Sequence, residues 1–117
     1  MKIFLLFPAF NEEEGLEKIL QRSVDVLEYL GHKYEIVVVD DGSIDRTLQV
    51  LKVFKKKINL NFFSFDKNSG ITEVFIHGFK YLSSKIKKND IVITMDSDNT
   101  QSPYCIIDMV NKVIDED

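Results

Sequence analysis

Cysteine occurs once in the 117 residues, at Cys105, so no internal disulfide can form. That excludes a disulfide-framed fold and fits a reducing compartment. Histidine is nearly as scarce. His32 follows Gly31 in a turn, His77 falls in a helical stretch, and neither has a Cys or His neighbour at zinc spacing. No long apolar run exists either. Ile3 to Phe7 is cut by Pro8, whereas a bilayer span needs about 20 residues. No small-residue cleavage site follows it, so a secretory signal is not expected. Positive charge is in deficit, with 15 Lys and Arg against 19 Asp and Glu and a formal net charge of −4. That balance gives no global attraction to nucleic acid or anionic lipid. The lysine runs at Lys55, Lys56 and Lys57 and at Lys85, Lys87 and Lys88 read as solvated helix ends, where cations meet the negative end of the helix dipole. Glycine-rich phosphate loops are also missing: no Gly-x-Gly-x-x-Gly follows the first apolar run, and there is no Walker lysine motif. A phosphate bound here must be held largely by a metal.

What is present is an alternation of apolar strands and amphipathic helices. Ile3 to Phe7 and Ile36 to Val39 are continuous apolar runs, the pattern of strands buried on both faces. Leu60 to Phe65 and Ile91 to Met95 read as two further strands. Between the first pair, Leu16, Ile19, Leu20, Leu27 and Leu30 form a helical stripe that Gly31 ends, with Asn11 and Glu14 spaced as a capping box. Ser43 is placed to cap a helix carrying Ile44, Leu48, Leu51 and Phe54. A third helix would bury Ile71, Phe75, Phe79, Leu82 and Ile86, and Ser102 with Pro103 would open a fourth. The order βαβαβαβα implies an α/β fold, a Rossmann-like parallel sheet in the order 3-2-1-4 with helices on both faces. In such sheets ligands bind at the carboxyl ends of the strands. Those ends carry Pro8, Ala9, Asn11 and Glu12, then Asp40 and Asp41, then Asp66, Lys67 and Asn68, then Asp96 and Asp98.

Asp96-Ser97-Asp98 sets two carboxylates two residues apart after a buried strand. Clustered carboxylates repel unless a proton or a cation lies between them. All-oxygen ligands suit Mg²⁺ or Mn²⁺, with positions left for water and phosphate oxygens. The competing reading is a polar turn in which Asp98 caps the next helix. Asp40-Asp41-Gly42-Ser43 is open in the same way. Gly42 and Ser43 are ordinary turn and cap residues, while a carboxylate there could accept hydrogen bonds from a ribose hydroxyl or a base N–H.

Four motifs in order carry a resemblance. Pro8-Ala9-Phe10-Asn11-Glu12 resembles the Pro-Ala-Tyr-Asn-Glu opening of the large inverting family 2 glycosyltransferases, and Val37 to Asp45 resembles their Val-Val-Asp-Asp-Gly-Ser-Thr-Asp segment. Asn68-Ser69-Gly70, with Gly78 beyond, is similar to their Asn-x-Gly helix entry, and Met95 to Asp98 to their Asp-x-Asp strand end. The chain departs from the pattern at Phe10, Thr72, Glu73 and Tyr104. The resemblance implies the nucleotide-binding half of a GT-A type enzyme whose partner is a nucleotide-diphosphate sugar. It implies that Pro8, Ala9 and Glu12 line a nucleoside pocket and that Asp41, with Asp40, contacts base or ribose. It further implies that Asp96 touches the ribose or a metal-bound water and that Asp98 ligates the metal, Mg²⁺ or Mn²⁺. Family members continue into an acceptor-binding half that holds the catalytic base. The expectation is therefore one domain, residues 1–117, with no catalytic base of its own and the base lying beyond Asp117. Transfer to a lipid phosphate or polysaccharide acceptor, and a place in the cytoplasm or at the cytoplasmic face of a membrane, go with it. Membrane contact would come only through a region missing from this chain. A sheet ending on Ile91 to Met95 would leave an exposed edge open to self-association.

Two rivals stand beside this reading. A non-catalytic nucleotide-sugar-binding or assembly module would bind without turnover. A haloacid dehalogenase-type phosphohydrolase would use Asp96-Ser97-Asp98-Asn99-Thr100 as its nucleophile motif. In that family the motif follows the first strand, and a lysine lies well downstream.

Overall fold

The apolar run near the N-terminus becomes the centre of the sheet. In the computed structural model, which describes the backbone of residues 1–97 and 102–116, the run lies in β1 (Lys2–Ala9), and Ile3 to Phe7 are each no more than 1% exposed. β2 (Lys33–Asp40) flanks it on one side and β4 (Ile91–Thr94) on the other, and β3 (Leu60–Ser64) completes the order β3-β2-β1-β4. All three pairings are parallel, with Leu5 opposite both Ile36 and Ile93, and Val38 opposite Phe62. The expected order 3-2-1-4 is the observed one.

Alternation along the strands divides the core into two layers. Ile3, Leu5 and Phe7 pack with Ile36, Val38, Ile91 and Ile93 against α1 (Leu16–Leu30), α2 (Thr47–Lys55) and α4 (Cys105–Glu116). Phe4, Leu6, Val37 and Val39 face α3 (Ile71–Ser83) on the other side. Each large side chain buried this way contributes about 1.5–3 kcal/mol. Among the described residues no helix is long and apolar enough to cross a membrane.

The helix ends differ in part from the sequence reading. Gly31 does stop α1: at φ 74° its N–H reaches the carbonyls of Leu27 and Glu28, both at 3.2 Å. Asn11 does not cap α1, which begins only at Leu16 behind Gly15. Nor does Ser43 cap α2, whose first turn is held by the Asp45 carboxylate accepting from the Thr47 N–H at 2.9 Å. Ser102 does accept from the Tyr104 N–H, at 3.3 Å, in the turn through Pro103 that leads into α4.

The buried face of α3 is also rotated from the expected one. Val74, Gly78 and Leu82 face the sheet, while Ile71 and Phe79 are 56% and 46% exposed. The helix is apolar on two overlapping stripes, and Gly78 decides between them. A Cβ there would lie 2.8 Å from Leu6 Cδ1, so any larger residue would force the Leu6 side chain to shift. The far end of α3 is fastened to buried Glu35. Its carboxylate accepts from the Tyr81 hydroxyl at 2.5 Å and the Asn61 amide at 3.2 Å, and pairs with Lys2 and Lys85 at 3.4 and 3.6 Å. Burial alone would raise this carboxyl's pKa. The hydrogen bonds from Tyr81 and Asn61 and the two ammonium charges outweigh that and hold it below its ordinary value.

Candidate functional site

Three loops meet at the carboxyl ends of β1, β2 and β3. The Asp41 N–H donates to the Ala9 carbonyl at 2.8 Å, and the Phe65 N–H to the Asp40 carbonyl at 2.9 Å, so the ladder holds to the last residue of β2. Gly42 then turns at φ 76° directly beneath the next loop. A Cβ there would lie 2.4 Å from the Lys67 carbonyl carbon and 2.5 Å from the Asn68 nitrogen. From the fourth strand, the Ser97 hydroxyl donates to the Pro8 carbonyl at 2.7 Å and fixes the start of the following loop over β1.

A crevice of about 350 Å³ opens among these loops. Pro8, Ala9, Phe10 and Glu12 form one wall, Asn68, Gly70, Ile71 and Val74 another, and Asp41, Asp96 and Ser97 complete the lining. The structure thus brings Pro8, Ala9, Glu12, Asp41 and Asp96 to one cavity. A second crevice, about 310 Å³, lies between α1 and α4 around Tyr29 and Tyr104 and contains none of these residues.

The two adjacent aspartates have different roles. Asp40 is 1% exposed. One of its oxygens accepts from the hydroxyl and N–H of Ser43, and the other accepts from the Ser64 hydroxyl at 3.0 Å. It points into the loop base and joins β2 to β3. Asp40, expected with Asp41 at a base or ribose, does not line the crevice and lies behind Asp41. Asp41 lines the crevice, and its two oxygens accept from the Ser69 and Gly70 N–H groups at 2.7 and 3.1 Å. Carboxylate oxygens accept more than one hydrogen bond each, so Asp41 keeps acceptor capacity toward the cavity while it organises the entry to α3. Asp96 is exposed at the rim. Asp98, the expected metal ligand, lies outside the described residues. So does Asp117, the residue beyond which the catalytic base is expected.

Asn11 and Ser43, read from the sequence as helix caps, and Asp45 and Thr47, not singled out there, hold the first wall in place. Asn11, at φ 51°, accepts from the Ile44 N–H at 2.9 Å through its side chain. The N–H groups of Asn11, Glu12 and Glu13 run to Ser43, Thr47 and Asp45. Burial would raise the Asp45 pKa, but hydrogen bonds from the Thr47 hydroxyl and from the Thr47 and Glu13 backbone set it below its ordinary value. The signal in the sequence was the run of short polar side chains after β2, which also describes any helix cap.

The charged donors lining the crevice are carboxylates, which suits a hard divalent cation. Among the described residues no three His, Cys, Asp or Glu side chains form a metal cage.

Parallel sheet and crevice together define a Rossmann-like α/β domain that presents acidic loops at its strand ends. Residues 5–117 match the model of glycosyl transferase family 2. The chain belongs to glycosyl transferase family 2. It is 33% identical over 113 residues to a dolichol-phosphate mannosyltransferase of Pyrococcus furiosus, covering 97% of this chain and 30% of that protein. It is 30% identical over 103 residues to an undecaprenyl-phosphate 4-deoxy-4-formamido-L-arabinose transferase of Edwardsiella ictaluri, covering 86% and 30%. The crystal structure of residues 1–349 of S. aureus TarS superposes with a TM-score of 0.66 at 25% identity, over 96% of this chain and 33% of that one. The same TarS fragment with UDP gives 0.65 at 24% identity, over 96% and 32%. The chain thus spans about 30% of the length of these curated relatives. The Asp96 motif follows the fourth strand, not the first, so the phosphohydrolase rival loses its required context.

Proposed function

We propose that this chain is the part of a family 2 glycosyltransferase that binds a nucleotide-diphosphate sugar, for inverting transfer to a lipid phosphate or polysaccharide acceptor. The observation that carries the reading is the convergence of Glu12, Asp41 and Asp96 on one crevice at the strand ends. Pro8 and Ala9 offer an apolar ledge for a nucleoside, and Asp41 presents acceptors for a base or ribose N–H or O–H. Asp40 supports that contact from beneath through Ser43 and Ser64. Asp96 and Asp98 would hold Mg²⁺ or Mn²⁺ against the diphosphate. A bound divalent ion there would neutralise charge on the departing nucleoside diphosphate. The acceptor hydroxyl needs a base, and none of these residues is assigned that role. The relatives' names contain dolichol phosphate and undecaprenyl phosphate, which supports a lipid-phosphate acceptor here.

Calorimetry with UDP, and GDP as a base control, tests the reading. UDP is the first probe because the TarS fold neighbour was crystallised with it. Binding is expected to tighten about tenfold when Mn²⁺ or Mg²⁺ replaces chelator, since the diphosphate completes an oxygen shell the protein leaves open. Asp98→Ala should remove that dependence. Equal affinity with metal and with chelator would overturn the metal assignment.

A non-catalytic binding module is the second reading. It shares the binding prediction while forbidding turnover.

A further inference from the structure

Three consecutive backbone N–H groups in the loop after β1 donate to side chains of the loop after β2. Asn11 reaches Ser43 Oγ at 2.9 Å, Glu12 reaches Thr47 Oγ1 at 2.8 Å, and Glu13 reaches Asp45 Oδ2 at 3.2 Å. The acceptors are themselves oriented. The Thr47 hydroxyl donates to Asp45 Oδ1 at 2.5 Å, and the Ser43 hydroxyl donates to Asp40 Oδ1. Each hydroxyl spends its only proton on a carboxylate, so its lone pairs are the part left to face the first loop. Asn11 closes the arrangement by accepting from the Ile44 N–H.

α1 starts only at Leu16, and the residues before it reach the helix through the Glu12 and Gly15 carbonyls. Yet this loop supplies Phe10 and Glu12 to the crevice. The second loop contributes Asp41 to the same cavity but turns Ser43, Asp45 and Thr47 away from it. We infer that Ser43, Asp45 and Thr47 are positioning residues for nucleotide binding: they template the first wall, and the affinity of the crevice depends on their hydrogen bonds. This rests on the nucleotide-binding reading of the crevice. The segment from Asp40 to Thr47 then has a division of labour, with Asp41 facing the ligand and the later polar side chains facing the protein.

The test uses the full chain with Mg²⁺ and UDP, read by calorimetry, together with amide NMR of Asn11, Glu12 and Glu13. Thr47→Val keeps the shape of a fully buried side chain and removes its hydroxyl. Thr47→Ser restores the hydroxyl, and Asp45→Ala removes the Glu13 tether together with the acceptor for the Thr47 N–H and hydroxyl. Thr47→Val and Asp45→Ala should each weaken UDP at least about threefold, the low end for a lost hydrogen bond, with the three amide signals shifted and exchanging faster. Thr47→Ser should recover most of the affinity and the native amide positions. Should Thr47→Val fail to fold, Asp45→Ala alone decides. UDP affinity unchanged while the amides move would overturn the proposal, because the tethers would then serve the fold only. Amides that do not move would overturn the contacts themselves. Failure of the unaltered chain to bind UDP or GDP at all would overturn the crevice reading, and the proposal with it.

Discussion

Gly42 is the residue on which two site loops rest. Its φ of 76° is unfavourable for any side chain, and a Cβ would meet backbone atoms of Lys67 and Asn68, which have no rotamer to yield. Gly42→Ala should therefore cost about 2–4 kcal/mol, combining left-handed strain with overpacking. Urea unfolding of the variant measures it, and a loss under half the lower figure would mean that the Lys67–Asn68 loop moves aside freely. At this scale the sequence was half legible. Asp41 and Asp96 stand out because charged residues directly after buried strands have few structural excuses. Asp40 looked equivalent to Asp41, and only coordinates separate them: successive side chains leave a strand on opposite sides, so one points to Ser64 and the other to the crevice. Ser43 and Asn11 read as caps because cap residues and loop tethers use the same chemistry, a short side chain bonded to backbone N–H.

Strands and helices were more legible than their faces. β1 and β2 were plain, since an unbroken apolar run has one comfortable place, the interior of a parallel sheet. The face of α3 was not, because Ile71, Val74, Phe75, Ile76, Phe79 and Leu82 satisfy several helical stripes at once, and the choice fell to Gly78 against Leu6. The Glu35 cluster, which fastens the end of α3, makes the element's hold pH-dependent. Its folded pKa is below its unfolded one. The unfolded chain then binds more protons over that interval, so the contribution is complete above the ordinary carboxylate range and disappears as pH falls through the folded value. Unfolding midpoints taken from neutral pH down to about pH 3, below the usual Glu pKa, should fall steeply for the natural chain. Glu35→Gln should be less stable at neutral pH and flatter on descent. Parallel curves for the two proteins would remove Glu35 from the acid sensitivity.

For the whole molecule, β4 is the open end of the design. Among the described residues it pairs with β1 alone, and Ile91 to Thr94 carry no charge to discourage another strand. On α3, Ile71 and Phe79 are also left exposed. A dimer is the expected state at high concentration, with the net charge of −4 limiting larger aggregates; light scattering over a concentration series checks it, and a strict monomer would show the edge to be protected. Sugar transfer by this chain alone should be slower than that of a full-length relative by at least about 10²-fold, the usual contribution of a general base. Acceptor glycosylation at a full-length rate would show that a base had been overlooked.

The order β3-β2-β1-β4 also sets a sequence of events in time. β1 leaves the ribosome first but lies in the interior of the sheet. Its β2 side can close as soon as α1 and β2 exist, whereas its other side waits for a partner 88 residues downstream, the separation between Lys2 and Asp90. Such long-range pairing is slow, and the unsatisfied edge is vulnerable meanwhile. A nascent chain therefore passes through a stage in which β1, β2 and β3 are assembled and half of the most apolar strand is uncovered. Ser97, which seals the wall of the crevice against Pro8, arrives at the close of that stage, so the crevice is finished only after β4, with α4 alone still to dock.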